Sequence, residues 1–481
     1  NTGEISDAKG FVRFRNIPRD ATLLVTYLGM DAREEPVNGR SAFDIKLSQG
    51  SLVMDELVVV GYGVQRKRDL SGAVAQVKGD LINEFANVSV AQALQGRVSG
   101  VQINQLNGQP GAAIQVRIRG ANSIKGDNEP LWIINGFPGN INMINTSDIE
   151  SVEILKDASA TAIYGSRGAN GVVIVTTKGA KEGKIRVSYD GSVGIQTLYK
   201  QMDVLSGDEY MTYLNEKARV NSQPAVFTPE QIAANVWNTN WQDEIFRSAV
   251  ITNHAVDISG GGPTFKGSLG LSYFNQDGIV KEGGYERISI RTNLEYNISK
   301  YISASANIIF SRSNHDQMNS QGGSRGTSVI NSALTASPLA TPHYDDGSWN
   351  DFQTQPTAGM NPVAYLHEVK NRRYANRLLA NAALTVKPVD GLSIQIAANV
   401  QNSQARSDYT RSLAYPNYDG AASIDFNEVV DITSNNIITY DKGFGRHHIN
   451  VMGGITYEQS VSKAVGTGTA SGFLSDVVES Y

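Results

Sequence analysis

Glu286-Arg-Ile-Ser-Ile-Arg-Thr-Asn-Leu-Glu-Tyr296 decides the fold, because strict alternation divides its side chains into two unlike sets. Ile288, Ile290, Thr292, Leu294 and Tyr296 fall on one face; Arg287, Ser289, Arg291, Asn293 and Glu295 fall on the other. Successive side chains of a strand point to opposite faces, so this period of two predicts a strand with one apolar and one polar surface. The same rule describes residues 184–196, 249–259, 264–274, 301–312, 376–387, 391–401 and 446–458, and more weakly 434–442, about nine strands in all. Short connections at 260–263, 298–300, 389–391 and 443–445 alternate with long ones at about 197–248, 313–375 and 403–433. Short turns at one end and long loops at the other are the pattern of an outer-membrane barrel. Tyr189, Tyr273, Tyr296, Tyr301, Phe310 and Tyr457 lie near strand ends, where interfacial aromatic girdles sit.

Composition agrees with this reading and removes others. The 481 residues carry 42 Lys plus Arg against 47 Asp plus Glu, a net charge of −5, so no overall electrostatic footprint for a nucleic-acid backbone exists. No apolar run approaches the roughly 20 residues of a spanning helix, which a barrel of alternating strands does not need. Cysteine is absent, which excludes disulfides, thiolate metal sites and cysteine nucleophiles and fits an oxidising envelope compartment. The opening Asn-Thr-Gly-Glu lacks a basic n-region and an apolar h-region, so a signal peptide is absent or already removed and the chain begins in mid-domain.

Upstream of the barrel pattern three segments differ in texture. Residues 1–52 read as a small β domain with runs at Phe11–Phe14, Thr22–Tyr27 and Phe43–Leu47. Residues 53–69 form a linker that carries one β-prone stretch, Asp55-Glu-Leu-Val-Val-Val-Gly-Tyr-Gly63, before the charged tract Gln65–Asp69. Residues 70–182 are mixed α/β: Ser89 caps a helix over 91–94 through Gln92, ending near Gly96 or Gly100, and Ser147-Asp-Ile-Glu150 repeats the capping pattern. Val152–Leu155 then reads as a strand, Asp157–Tyr164 as a short helix stopped by Gly165, and Val172–Thr177 as a buried strand.

Nine strands leave edges that lipid cannot satisfy, and bacterial single-chain barrels use even numbers. A segment of about 110 residues has a radius of gyration near 13 Å, while a barrel of about eight strands encloses only its own side chains. A mainly β protein is therefore expected, an antiparallel transmembrane barrel of about 22 strands when complete, of which 183–481 supply about nine. The count of about 22 holds if residues 70–182 sit inside as an α/β plug, and on that reading much of the C-terminal barrel is expected to be missing from this chain.

Pro130-Leu-Trp-Ile-Ile-Asn-Gly-Phe-Pro138 and the run Ser147 to Gly179, with Val116-Arg-Ile-Arg-Gly120 and Gly108-Gln-Pro-Gly111, closely resemble the plug signature of SusC/RagA-type TonB-dependent outer-membrane transporters. Asp55 to Gly63 is similar to the segment around that family's TonB box, and residues 1–52 resemble the end of its carboxypeptidase-regulatory-like domain. The resemblance implies energised import of oligosaccharides, with peptides next, across the outer membrane, the N-terminal domain lying in the periplasm. It implies TonB as partner, engaging Asp55, Glu56, Leu57, Val58, Val59, Val60, Gly61 and Tyr62, and a SusD-like surface lipoprotein as a hinged lid. On the plug it points to Arg117, Arg119, Gly120, Asn135, Gly136, Asp157, Tyr164, Gly165, Arg167, Gly168 and Gly171. Arg117 and Arg119, read as sharing one strand face, are expected to meet acidic groups on the barrel wall; the glycines serve helix exit and close backbone approach. A siderophore or cobalamin receptor, or a non-transporting plugged-barrel adhesin, are the alternatives.

The long loops hold aromatic candidates for substrate or lid contact: Trp237, Trp241, Tyr344, Trp349, Tyr415 and Tyr418, with Phe352 and Tyr409 nearby. Catalytic signals fail. Gly322-Gly-Ser-Arg-Gly326 fits a nucleophile-elbow string without the strand before it or the helix after it. His447 and His448 point to opposite faces, which suits zinc poorly, and Asp345, Asp346 and Asp351 lack the spacing of an EF-hand. No enzyme, cofactor or metal is expected.

Overall fold

A computed structural model describes residues 11–14, 18, 21–25, 33–46, 57–60, 63–66, 74–83, 89–105, 107–120, 122–126, 128–318, 328–352, 360–445, 447–466 and 470–472. Asp55, Glu56, Gly61, Tyr62, 67–69 and Gly322–Gly326 lie outside the described residues. The chain divides into compact units at Asn1–Ser71 and Gly72–Tyr481.

In the first unit, β1 (Thr22–Val25) pairs antiparallel with β2 (Arg33–Pro36), and β3 (Leu57–Val60) with β4 (Gly63–Arg66). Phe11–Phe14 and residues 43–46 are not strands, which corrects the expectation for both runs; the β2 segment Arg-Glu-Glu-Pro pairs instead, a charged stretch that carries no apolar alternation. Gln65 and Arg66 belong to β4 rather than to a linker.

The second unit opens with the plug. Its five-stranded sheet has the order β5 (Val74–Lys78), β10 (Ile149–Leu155), β11 (Val172–Thr177), β8 (Leu131–Ile134), β9 (Phe137–Pro138), and a separate hairpin joins β6 (Val101–Gln105) to β7 (Ile114–Ile118). β11 runs parallel to β8 and antiparallel to β10. A strand buried on both faces needs a nearly continuous apolar run, and Val172-Val-Ile-Val175 supplies it at 0–1% exposure. Ser89 caps the helix Val90–Ala93, its Oγ accepting from the Gln92 amide at 3.2 Å. The second capping pattern is corrected: Ser147 lies within a 3-10 turn, Thr146–Asp148, that Asn145 caps, and β10 starts at the next residue. The helix after Asp157 is short, Ala158–Thr161, continuing as 3-10 until Gly165 breaks it at φ +60°.

From residue 183 nine long strands run in chain order, each antiparallel to the next. They are β12 (Gly183–Gln196), β13 (Ala249–Gly261), β14 (Phe265–Asp277), β15 (Gly284–Asn297), β16 (Ile302–Asp316), β17 (Val369–Val386), β18 (Leu392–Arg411), β19 (Ala421–Phe444) and β20 (His447–Gly466), with β21 (Ala470–Ser471) appended to β19. The polarity of the opening stretch is inverted relative to a soluble sheet. Arg287, Ser289 and Arg291 are buried at 1–2% exposure, whereas Ile288, Ile290, Leu294 and Tyr296 stand at 38–46%. Apolar side chains outward and polar ones inward is the barrel arrangement, in which lipid takes the place of a core. β18 and β19 continue past the predicted ends, shrinking the expected loop 403–433 to residues 412–420. Asp425, Asn427 and Glu428 in that extension lie where no apolar face is required, so the alternation fades although the ladder persists.

Candidate functional site

The plug docks on the inner face of β13 to β17. Its 3-10 turn Ile141–Met143 joins one apolar cluster with Ile309 and Leu379 of the wall. At the centre of the seam, Arg291 of β15 donates through Nε to Asp148 Oδ1 at 3.1 Å, through Nη2 to Asp257 of β13, and through Nη1 to the Lys178 carbonyl and to Ser268 Oγ at 3.2 Å. This guanidinium is 1% exposed and bridges a plug carboxylate and a wall carboxylate. Burial pushes the Asp148 carboxyl above the usual carboxylate range, and Arg291, the nearest cation, opposes that push. Asn293 donates to the same Lys178 carbonyl at 2.7 Å, and Asn145 of the plug donates to Asn253 of the wall at 3.1 Å.

Room for the Arg291 cluster is made by Gly270 on β14, directly across the ladder. A Cβ there would sit 2.8 Å from Arg291 Nη2 and 3.0 Å from Asp148 Oδ1. Gly270→Val is expected to push the plug carboxylate off its cation and loosen plug docking by about 1–3 kcal/mol, read as faster hydrogen exchange of β10 and β11. Unchanged exchange would show that the cluster does not hold the plug.

The plug-signature residues divide by role. Arg119 follows β7 at φ +58° and pairs with Asp157 inside the plug, so the expectation of a shared strand face with Arg117 and of a wall partner for Arg119 is corrected. Arg117 lies opposite Gln102 in the hairpin and has no ion-pair partner among the described residues. Arg167 is the plug arginine that reaches a wall carboxylate, Glu458 of β20, at a half-exposed position. Asn135 and Gly136, at φ +48° and +89°, make the turn from β8 to β9, and the Asn135 side chain grips Thr177 by donating to Oγ1 at 2.9 Å and accepting from its amide at 3.0 Å. Tyr164 is half-buried and Gly168 is buried; Gly120 and Gly165 also have positive φ. Gly171 combines φ +90° with a Cβ position 2.7 Å from Ile118 Cδ1. Gly171→Ala is therefore expected to destabilise the plug by about 2 kcal/mol, measured as a lower urea midpoint; an unchanged midpoint would mean that the hairpin yields freely.

The outer loops build a small domain rather than an open aromatic surface. Residues 197–248 carry helices Gly207–Val220, Pro229–Ala233 and Trp241–Ile245, and residues 317–368 carry Val329–Thr335 and Pro362–Glu368. Trp241 is 2% exposed, stacks edge-on to Phe352 at 5.3 Å and donates Nε1–H to the Ser337 carbonyl at 2.9 Å. Tyr415 is 5% exposed and packs between Tyr365 and Tyr418. Both rings are therefore interior supports, which corrects their assignment as contact residues. Trp349 is sandwiched by His343 and His367 and donates to Glu368 at 3.0 Å. Trp237, Tyr344 and Tyr418 are exposed, Tyr344 donating to Asp351 at 2.7 Å and Tyr418 lying under Arg411 at 4.6 Å. Asp346 is occupied by Ser348, and among the described residues no three metal-ligating side chains converge. A cavity of about 250 Å³ opens where Gln109 and Pro110 of the plug meet Lys200, Met202, Phe246 and Met318.

A globular plug seated on the polar inner face of an antiparallel wall defines a plugged outer-membrane barrel. Residues 66–172 match the model of the TonB-dependent Receptor Plug Domain. TonB-dependent receptor P3 of Formosa agariphila is 34% identical over 99% of this chain and 47% of its own length, and TonB-dependent receptor SusC of Bacteroides thetaiotaomicron is 31% identical over 80% of this chain and 40% of its own. The RagAB peptide importer in its open-open state shares the fold, with TM-score 0.78 and 24% identity over 88% of this chain and 51% of that one. The chain thus spans about half the length of the curated relatives it matches. Over the part it spans, it belongs to the SusC/RagA-type TonB-dependent receptors of the outer membrane.

Sequence reasoning placed Arg291 on the polar face of its strand with four other residues and missed its partners. Asp148 and Asp257 lie 143 and 34 residues away, and nothing local in either segment signals the pairing.

Proposed function

We propose that the protein works in TonB-driven import of large nutrients, oligosaccharides first and peptides second, under a SusD-like lipoprotein lid, with its N-terminal unit in the periplasm. The observation that carries this reading is the seam itself. A plug held to the wall by polar side chains and one apolar cluster, with the buried cation Arg291 paired across the seam, suits a contact that is stable at rest and separable under force. The extended Leu57-Val-Val-Val60 segment supports TonB as the source of that force, because β3 pairs with β4 on one side only among the described residues and an unpaired strand edge accepts another strand. The name of the RagAB peptide importer favours a peptide over a chelated metal as cargo, and oligosaccharides enter through the SusC/RagA resemblance alone.

Cells carrying the full-length gene together with a SusD-like lipoprotein, offered fluorescent oligosaccharide and peptide pools, test the reading. Accumulation should cease when an uncoupler collapses the proton gradient, while surface binding persists. Accumulation that continued in uncoupled cells would remove TonB-driven import from consideration.

A further inference from the structure

One patch of the wall holds two arginines that, among the described residues, have no carboxylate to match them. Ser272, Ser289, Ser311 and Arg377 lie in one unbroken row across β14 to β17, and Arg287 and Ser313 lie side by side in the next row outward. All six project to the inner face, by their register with Arg291. Arg287 is 1% exposed; its Nη1 reaches the Asn142 carbonyl at 3.4 Å, its guanidinium lies 5.8 Å from the Phe274 ring, and Nε and Nη2 have no partner. Arg377 reaches Ser313 Oγ at 3.4 Å, while its Nε and the hydroxyls of Ser272, Ser289 and Ser311 are buried without partners. Asp148, on which Arg287 also acts, is already engaged by Arg291, and the groups acting on Arg377 are the phenol of Tyr285 and the cations Arg373 and Arg287. No ion pair forms with either arginine among the described residues.

A buried guanidinium without a carboxylate is costly, and a charged donor left unmade costs more than a neutral one. Arginine holds its proton, so the cost is not relieved by neutralisation. What relieves it is an anion with several acceptor oxygens, which two guanidinium forks and a row of hydroxyls are suited to grip. We propose that Arg287, Arg377, Ser289 and Ser311 form an oxyanion site on the barrel wall beneath the plug turn Ile141–Met143, taking a carboxylate, sulfate or phosphate group. Resting on the import reading, this specifies the cargo class: the substrate bears acidic groups that this site on the wall receives. A free inorganic anion is the other source of the same chemistry.

The full-length transporter purified with its lipoprotein distinguishes them by calorimetric titration with inorganic sulfate, with a galacturonic acid trimer and with neutral maltotriose. Binding of sulfate and of the acidic trimer, both weakened at least about tenfold in Arg287→Gln/Arg377→Gln, supports a substrate-borne anion. Sulfate binding alone, weakened likewise, supports the site with a free ion as occupant. Ser289→Ala/Ser311→Ala should weaken binding without removing buried charge, which keeps the test open if the arginine variant fails to assemble. Absence of sulfate binding, or equal binding by wild type and both variants, overturns the proposal. Neither result depends on TonB, so failure here is distinct from failure of the import reading.

Discussion

Removal of Asp55–Tyr62 is expected to reduce uptake to the level of cells that lack TonB, with surface ligand binding and outer-membrane abundance unchanged. The segment precedes Val74, the first residue of the plug sheet, and contributes no strand to that sheet or to the wall among the described residues. A point variant sharpens the claim. Val59 lies opposite Val64 in the β3–β4 ladder, and proline there forfeits an amide donor and fixes φ away from the usual strand value. Losing one or two ladder bonds at about 1 kcal/mol each weakens strand addition to TonB roughly tenfold. Val59→Pro should therefore lower uptake in proportion to TonB capture in a pull-down, whereas Val59→Thr, which keeps the amide, should leave both near wild type. Full uptake by the deletion would remove Leu57–Val60 from the mechanism.

Arg291→Met carries the largest expected cost to the plug. It leaves Asp148 and Asp257 facing each other across a dry seam, and removing one partner of a buried ion pair costs about 3–5 kcal/mol. The expected result is a plug that exchanges amide protons and yields to urea well before the wall, and a transporter that leaks small solutes. Asp148→Asn should be far milder, about 1–2 kcal/mol, because the amide retains an acceptor for Arg291 Nε and Asp257 keeps the guanidinium paired. Equal effects of the two substitutions would mean that Arg291 contributes packing rather than charge pairing.

The wall was legible because its signal is local and repetitive. Ile288, Ile290 and Leu294 alternate with Arg287, Ser289 and Arg291 within a single window, and lipid demands that alternation for as long as the strand is in the membrane. Where that demand ends the pattern dissolves, and β18 and β19 run on unannounced to Arg411 and from Ala421. Ser89 and Gly165 announced helix ends through their own backbone chemistry. Ser147 misled because the capping pattern names residue types and not the turn in which they sit; Asn145 took the cap. Long-range pairing was the least legible. Arg119 turned to Asp157 within the plug, Arg167 reached the wall, and Trp241 and Tyr415 went inside the loop domain, since a large ring in a long loop reads alike whether it packs or binds.

The central claim is that the plug leaves the wall when the transporter works. These 481 residues hold no cysteine, so a pair engineered among them meets no native thiol within the plug or this part of the wall. Asn145 and Asn253 face each other across the seam with amide groups 3.1 Å apart. Asn145→Cys/Asn253→Cys, joined by a short bis-maleimide linker in the full-length transporter, is expected to stop uptake while ligand binding continues, with each single cysteine variant transporting normally after the same treatment. Undiminished uptake by fully cross-linked transporter would contradict the account.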